Sequence, residues 1–327
     1  MSANRSSARP VSGNPLGKQI MAKQQDVAPS RFFRDGQGSR TALVFAAGAV
    51  ALWSTNALVG KSLLENHPVY LVQFLQFTGA ALVFLAIRLM SRDDVSMAVV
   101  KAGLIPISVG VIGLVGTMIL QYVAFASMPV IEANLVAYTW PLMVAATVIV
   151  LETPRRPVLL AITAALGFIG VALVISGGHH PSWLQGNLIG YVSAFGSALC
   201  MAFYSIVVRR VAGSPDRLLL PSALIGMAIT FLWCVNNAVV WHIEPDLFLG
   251  LYLGAGPMGL GYYFWSRALK LDGGKVAVVA YLTPIASTLL LTLSGERLTA
   301  TAIIGAVLVI GSCIAVGMER SEAGNHA

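Results

Sequence analysis

The sequence predicts an all-α integral membrane protein of ten transmembrane helices, arranged as two inverted-topology repeats of five. Three observations predict it. Apolar runs of bilayer-spanning length follow one another from residue 41 to residue 317, basic residues concentrate in alternate connections, and one short motif is written twice, 143 positions apart. The chain has 327 residues, of which 57% are hydrophobic and 11% charged, whereas a soluble domain is nearer one quarter charged. The mean hydropathy is +0.77. Runs of about 20 apolar residues match a hydrocarbon core of roughly 30 Å. A β-barrel would alternate over segments of about 10 residues, a pattern this chain lacks.

Taken in order, residues 1–39 are polar and rich in Arg, Ser, Gln and Gly. They read as a flexible cytoplasmic tail, neither a cleaved secretory signal nor a folded domain. Ten spans are expected at 41–60, 69–88, 102–125, 131–151, 158–176, 186–208, 218–241, 247–266, 276–294 and 299–317, followed by a short tail at 319–327. With the N-terminus in the cytoplasm, nineteen Lys and Arg fall inside and only Lys61 and Arg297 outside. That split obeys the positive-inside rule and puts both termini in the cytoplasm. Losing or adding one span would throw the later basic loops to the wrong side. The net charge of +7 is therefore topological and does not point to nucleic acid. Cys200, Cys234 and Cys313 all lie in apolar runs, as packing residues without a disulfide framework or a metal site.

The repeat rests on ordered matches. AYTWP (137–141) in span four corresponds to AYLTP (280–284) in span nine, and GLVG (113–116) in span three to GPMG (256–259) in span eight. Val136 matches Val279, and with one residue inserted Glu152 matches Glu296 and Gly167 matches Gly311. The first repeat is placed at 40–177 and the second at 186–318. Five spans is an odd number, so the second copy enters the bilayer in the opposite direction. Inverted repeats are a recurring plan of secondary transporters, with the substrate site at the repeat interface near the midplane.

Polar and aromatic side chains well inside the spans are the candidate site. Trp53 and Asn56 are three apart and share a face of span one; Asn134 and Tyr138 are four apart and share a face of span four. Pro141 and Pro284 are expected to kink their helices, since each removes an N–H that the carbonyl four residues earlier would have taken. The carbonyl freed by Pro141 is that of Ala137. Tyr204, Tyr263, Trp265 and Tyr281 are the aromatic candidates of the second half, and Tyr122 joins them from span three. Gly113, Gly116, Gly256 and Gly259 are expected to serve close helix approach. Each aromatic also has a bland reading, as core packing or an interface belt. Trp53, Tyr138 and Tyr281 lie too deep in their spans for a belt.

LWST (52–55), ANLVAYTWPL (133–142), AFYSIVVRR (202–210), GYYFW (261–265) and AVVAYLTPI (277–285) carry a family likeness. Through them the chain resembles the ten-helix, EamA-type branch of the drug/metabolite transporter superfamily, and within it the bacterial aromatic amino-acid exporters. The resemblance implies a basket of ten helices around an aromatic-lined cavity in the bacterial inner membrane. It implies efflux of amino acids or related amphipathic metabolites, and it adds Trp140 to the candidate contacts. Met201 stands where these exporters often carry an aromatic. The expected partners are a small-molecule substrate, an aromatic amino acid first, and the lipid bilayer; no protein partner and no cofactor is called for. Another small solute, such as an aliphatic amino acid, a polyamine-like compound or a nucleoside, is the alternative cargo.

Absent residues exclude other classes. Span one has no embedded glutamate of the kind on which small multidrug exporters of the superfamily depend. Only Glu132 approaches a span interior, and it is expected as an interfacial carboxylate at the helix N-terminus, where it favours the dipole. No GxxxxGK[ST] loop is present for P-loop ATP hydrolysis. The five histidines lie in loops or the tail and no Asp pair lies within spans, which argues against an intramembrane protease. His179 and His180 are adjacent without a third ligand, a weak basis for a metal site. A receptor or a channel remains the non-enzyme alternative to a carrier.

Overall fold

The computed structural model describes residues 30–90, 104–152, 157–176, 187–211, 214–239, 244–293 and 300–325. Among these residues the secondary structure is helical and no strand occurs. In chain order the helices are α1 (Ser30–Trp53), α2 (Asn56–Asn66), α3 (Val69–Met90), α4 (Leu104–Gly110), α5 (Thr117–Ser127), α6 (Val130–Ala137) and α7 (Trp140–Glu152). They continue as α8 (Pro157–Ser176), α9 (Leu188–Val207), α10 (Asp216–Asn236), α11 (Leu247–Leu253), α12 (Gly261–Asp272), α13 (Leu282–Leu293) and α14 (Ala300–Asn325). Helix α1 begins at Ser30, within the stretch expected as tail, and α14 runs on through residue 325. Seven helical stretches are long and apolar enough to cross a membrane by length and composition. Val276–Ser287 and Ile303–Ser312 are shorter apolar helices, while residues 247–272 are helical throughout yet not among the seven.

Each helix is apolar on two kinds of surface. Ala42, Ala46 and Ala49 are fully buried along one face of α1, while Val44 on the opposite face is 71% exposed. Leu104 and Leu188 are likewise among many large apolar side chains left open. In water such a surface would drive aggregation; in a bilayer it is the solvent-matched face. Small residues face inward because association in lipid rests on close backbone packing rather than on a hydrophobic drive. Gly170 of α8 and Gly305 of α14 illustrate this. A Cβ on Gly170 would lie 2.7 Å from the Gly305 carbonyl oxygen, and one on Gly305 2.5 Å from that of Gly170.

Two irregularities recur in step with the sequence repeat. A π-helical turn spans Val111–Gly116 and another spans Gly254–Leu260, so their first residues are 143 apart. The break between α6 and α7 falls after Ala137, and the change from 3-10 helix (Gly273–Tyr281) to α13 falls after Tyr281. The helix pairings are also unchanged when the halves are exchanged. Helix α3 packs on α10, α8 on α14 and α7 on the 3-10 segment, and the pairing of α1 with α12 answers that of α5 with α9. Gly113, Gly116 and Gly259 sit against Tyr204, Cys200 and Val83 of neighbouring helices, consistent with the expected packing role.

Gly170→Val is expected to destabilise the protein by about 3 kcal/mol through overpacking. The check is a lowered midpoint of thermal unfolding in detergent; an unchanged midpoint would mean that α8 and α14 part without cost.

Candidate functional site

Two broken helices organise the centre of the molecule. In the first, α1 stops at Trp53 and α2 restarts at Asn56. Thr55 N–H bonds the Leu52 carbonyl at 3.3 Å, a tighter turn than α, and the Ser54 and Thr55 hydroxyls donate to the Ala51 and Leu52 carbonyls at 2.7 and 2.8 Å. In the second, α6 stops at Ala137 and α7 restarts at Trp140. Thr139 closes that turn with both its N–H (3.1 Å) and its hydroxyl (2.7 Å) on the Val136 carbonyl. Pro141 offers no N–H to the Ala137 carbonyl, which is the physical reason for a break at this point. Pro284 has the same effect on Ala280, and there the chain uses i→i+3 bonding up to Tyr281.

Aromatic rings bridge the two breaks. Trp265 of α12 lies 5.3 Å from Trp53 and 5.5 Å from Trp140, centroid to centroid, the second pair edge-on at 85°. Tyr262 meets Trp53 at 6.0 Å and Tyr204 at 5.6 Å. Such pairs contribute about 0.5–1.5 kcal/mol each beyond burial. Trp140 reaches this row because the break at 138–139 rotates it off the ideal helical position, two residues from Tyr138. The polar edges are tied as well. Trp53 Nε1 donates to the Pro257 carbonyl at 2.9 Å, and Trp265 Nε1 donates to Ser205 Oγ at 3.2 Å. Tyr262 donates to the Gly113 carbonyl at 3.4 Å. Ser266 donates to the Tyr262 carbonyl at 2.6 Å and so accepts from Tyr204 at 2.5 Å. Gly113 and Pro257, the two carbonyls used, belong to the two π-helical turns.

A polar chain runs beside this row. Gln73 donates to Gln76, Gln76 Nε2 donates to the Tyr122 hydroxyl at 2.5 Å, and Tyr122 donates to Asn56 Oδ1 at 3.1 Å. Gln73, Gln76 and Tyr122 are fully buried, whereas Asn56 is half-buried.

The candidates fall into groups. Trp53, Trp140, Tyr204 and Trp265 come together in the aromatic row, and Asn56 and Tyr122 come together in the polar chain. Asn134 and Tyr138 are half-buried on one face of the α6 end, and Tyr138 packs against the same core as the row. Tyr263 is half-buried beside Phe264, at 6.3 Å, outside the row. Tyr281 is fully buried, and its ring fills the space beside Gly167. Glu132 does lie in the first turn of α6, but it is buried and accepts a hydrogen bond from Tyr191 of α9.

Sequence reasoning missed Gln73, Gln76, Tyr262, Ser205 and Ser266. The two glutamines carried a usable signal, since an amide inside a lipid span needs a partner. His67, Glu244 and Asp246 place ligand atoms within 4.8 Å of one another, and a 2.8 Å hydrogen bond joins His67 to Asp246. This group ties the α2–α3 corner to the start of α11. His179 and His180 lie outside the described residues.

Comparison with known proteins adds the decisive observation. The model of the EamA-like transporter family matches the chain twice, over residues 40–176 and 188–318. The chain belongs to the EamA-like transporter family. It is 30% identical over 283 residues to a protein of Ancylobacter novellus named aromatic amino acid exporter YddG, an alignment covering 83% of this chain and 96% of that one. A crystal structure at 27% sequence identity superposes with a TM-score of 0.76, covering 86% of this chain and 99% of its own. This EamA-like transporter is a multi-pass membrane protein, and family membership marks it as a transporter rather than an enzyme.

In the transporter, Ser266→Ala leaves the buried Tyr204 hydroxyl without its acceptor. The expected cost is about 1–3 kcal/mol, measured as a lower unfolding midpoint that Tyr204→Phe in the same background restores in part.

Proposed function

We propose that this protein exports aromatic amino acids (Trp, Phe, Tyr) or closely related amphipathic metabolites across the bacterial inner membrane. The observation that carries the proposal is the row Trp53–Trp265–Trp140 spanning two broken helices, with half-buried Asn56, Asn134 and Tyr138 alongside. An aromatic side chain gains from ring faces and edges, and its zwitterionic backbone needs uncharged donors and acceptors rather than fixed charges, which are costly at the midplane. Irregular backbone at membrane depth is tolerated where it borders a cavity. The name of the Ancylobacter novellus relative supports the same cargo.

The mechanism is alternating access between two inverted five-helix halves, residues 40–177 and 186–318, in a ten-span topology with both termini cytoplasmic. In that topology the breaks after Trp53 and Ala137 sit near the midplane. Asn56 and Asn134 lie on the outer side of them, and Trp265 and Tyr204 on the inner side. The fully buried inner aromatics then seal the cytoplasmic end while the half-buried amides face an outer opening. Substrate enters among the rings from the cytoplasm when that seal parts and leaves past the amides. Glu132 is the buried carboxylate of the described spans and is engaged by Tyr191, so transport is uncoupled from protons and follows the substrate gradient.

Purified protein in liposomes tests the proposal by uptake of labelled Trp, Phe, Thr and a cationic dye, with and without a pH gradient. Saturable Trp and Phe flux, indifferent to the pH gradient, is expected. No saturable aromatic flux would overturn the cargo, and dependence on the gradient would overturn uncoupled movement. In the same assay Trp140→Ala should weaken apparent Trp affinity about tenfold, the loss of about 1.4 kcal/mol, in a protein with the wild-type elution profile.

A further inference from the structure

We propose that Gln73, Gln76 and Tyr122 are positioning residues that hold the Asn56 amide with its Nδ2 hydrogens outward, as the donor to the substrate's carboxylate. The inference rests on the amino-acid cargo proposed above and assigns one of its two charged groups to a named atom.

The direction of the hydrogen bonds decides what Asn56 presents. Tyr122 has a single hydroxyl proton. Because Gln76 Nε2 donates to that oxygen at 2.5 Å, the proton is left to bond Asn56 Oδ1 at 3.1 Å. Gln76 Oε1 in turn accepts from Gln73 Nε2, and the chain ends at Gln73 Oε1, buried without a partner. The opposite direction can be written with every amide flipped. Asn56 would then donate to Tyr122, Tyr122 to Gln76 and Gln76 to Gln73, stranding the Gln73 NH2 group in a fully buried site. An under-satisfied carbonyl is tolerated better than an orphaned N–H, and in an apolar interior each unmade bond costs about 1–3 kcal/mol. The buried end of the chain therefore selects the direction, and the direction selects what Asn56 presents: with Oδ1 turned to the Tyr122 proton, the Nδ2 donors are turned to the other side.

Those donors face the interior and not lipid. Trp53, Asn56, Gly60 and Leu63 recur at three- and four-residue spacing and share one face. Trp53 packs on Trp265, and Leu63 is 1% exposed, whereas Leu58 on the other side of the helix is 43% exposed. Gly60 makes the contact possible, because a Cβ there would lie 2.6 Å from the Tyr122 hydroxyl oxygen. Asn56 Nδ2 has no bond to another described group, and Asn56 opens α2 directly after the break that follows Trp53, where an indole ring stacked on the row would carry its carboxylate.

A carboxylate and an ammonium are separated by comparing tryptophan with tryptamine, which lacks the carboxylate, on the full-length protein in liposomes. Tyr122→Phe removes the proton that fixes Asn56 while keeping the ring. It is expected to raise the half-saturation concentration for tryptophan about tenfold and to leave inhibition by tryptamine unchanged. Asn56→Asp keeps an acceptor for Tyr122 and replaces the donors with a carboxylate, so tryptophan should weaken and tryptamine strengthen, a reversal that a folding defect does not produce. Equal losses for both ligands in Tyr122→Phe, or an unchanged ratio in Asn56→Asp, would overturn the assignment. If wild-type protein carries threonine and not tryptophan, the aromatic cargo fails, and the same comparison between threonine and its decarboxylated amine decides the role of Asn56.

Discussion

Lipid supplies no hydrogen bonds, so every carbonyl and amide that leaves a helix inside the bilayer must be met by protein or border a wet cavity. The centre of this molecule is built around that constraint. Breaks after Trp53 and Ala137 interrupt two helices, and Ser54, Thr55 and Thr139 turn their own hydroxyls back onto the nearest carbonyls. The π-helical turns loosen two further carbonyls, at Gly113 and Pro257, and these are taken by Tyr262 and Trp53 from other helices. The aromatic row is therefore fastened at its polar edges to the irregular backbone it accompanies. Rings and breaks hold each other in place.

Symmetry of plan coexists with asymmetry of contact. The π-helical turns recur at the offset of the sequence motif, and the changes after Ala137 and Tyr281 fall within one residue of it. The side chains they present are not equivalent. Trp140 closes the row on Trp265, while Thr283 stands at its counterpart position and is buried within reach of Tyr138. A Cβ on Gly167 would lie 2.6 Å from the Tyr281 ring, whereas one on Gly311 meets nothing within 4 Å. The two stretches matched by the family model thus share backbone devices and differ in the side chains these present.

The helical, multi-pass membrane character was legible in the sequence because lipid dictates span length, which needs no tertiary contacts. Helical spacing pairs Trp53 with Asn56 in the sequence, whereas the break between them sends Trp53 to the aromatic row and Asn56 to the polar chain. Trp140 was not legible, because spacing on an ideal helix turns it away from Tyr138 and only the break restores it. Tyr262 joins the row, whereas Tyr263 packs beside Phe264. The preceding π-helical turn carries extra residues, which shifts the face that α12 presents, and such a turn leaves little trace beyond Gly and Pro in GPMG. Gln73 and Gln76 were visible as amides in an apolar run, but their partner Tyr122 comes from a helix 46 positions away from Gln76. Helix α1 begins at Ser30, ahead of the first apolar run, because polarity does not forbid a helix that extends beyond that run.

The account stands on a site in which an aromatic amino acid lies against the tryptophan row between two broken helices. Equilibrium binding of labelled tryptophan to the purified protein, compared between wild type and Trp53→Ala, addresses this most directly, because it reads occupancy without requiring turnover. Saturable wild-type binding displaced by phenylalanine, and lost in a Trp53→Ala protein that still elutes as a single species, is the predicted result. Binding of equal affinity in the two proteins would contradict the account.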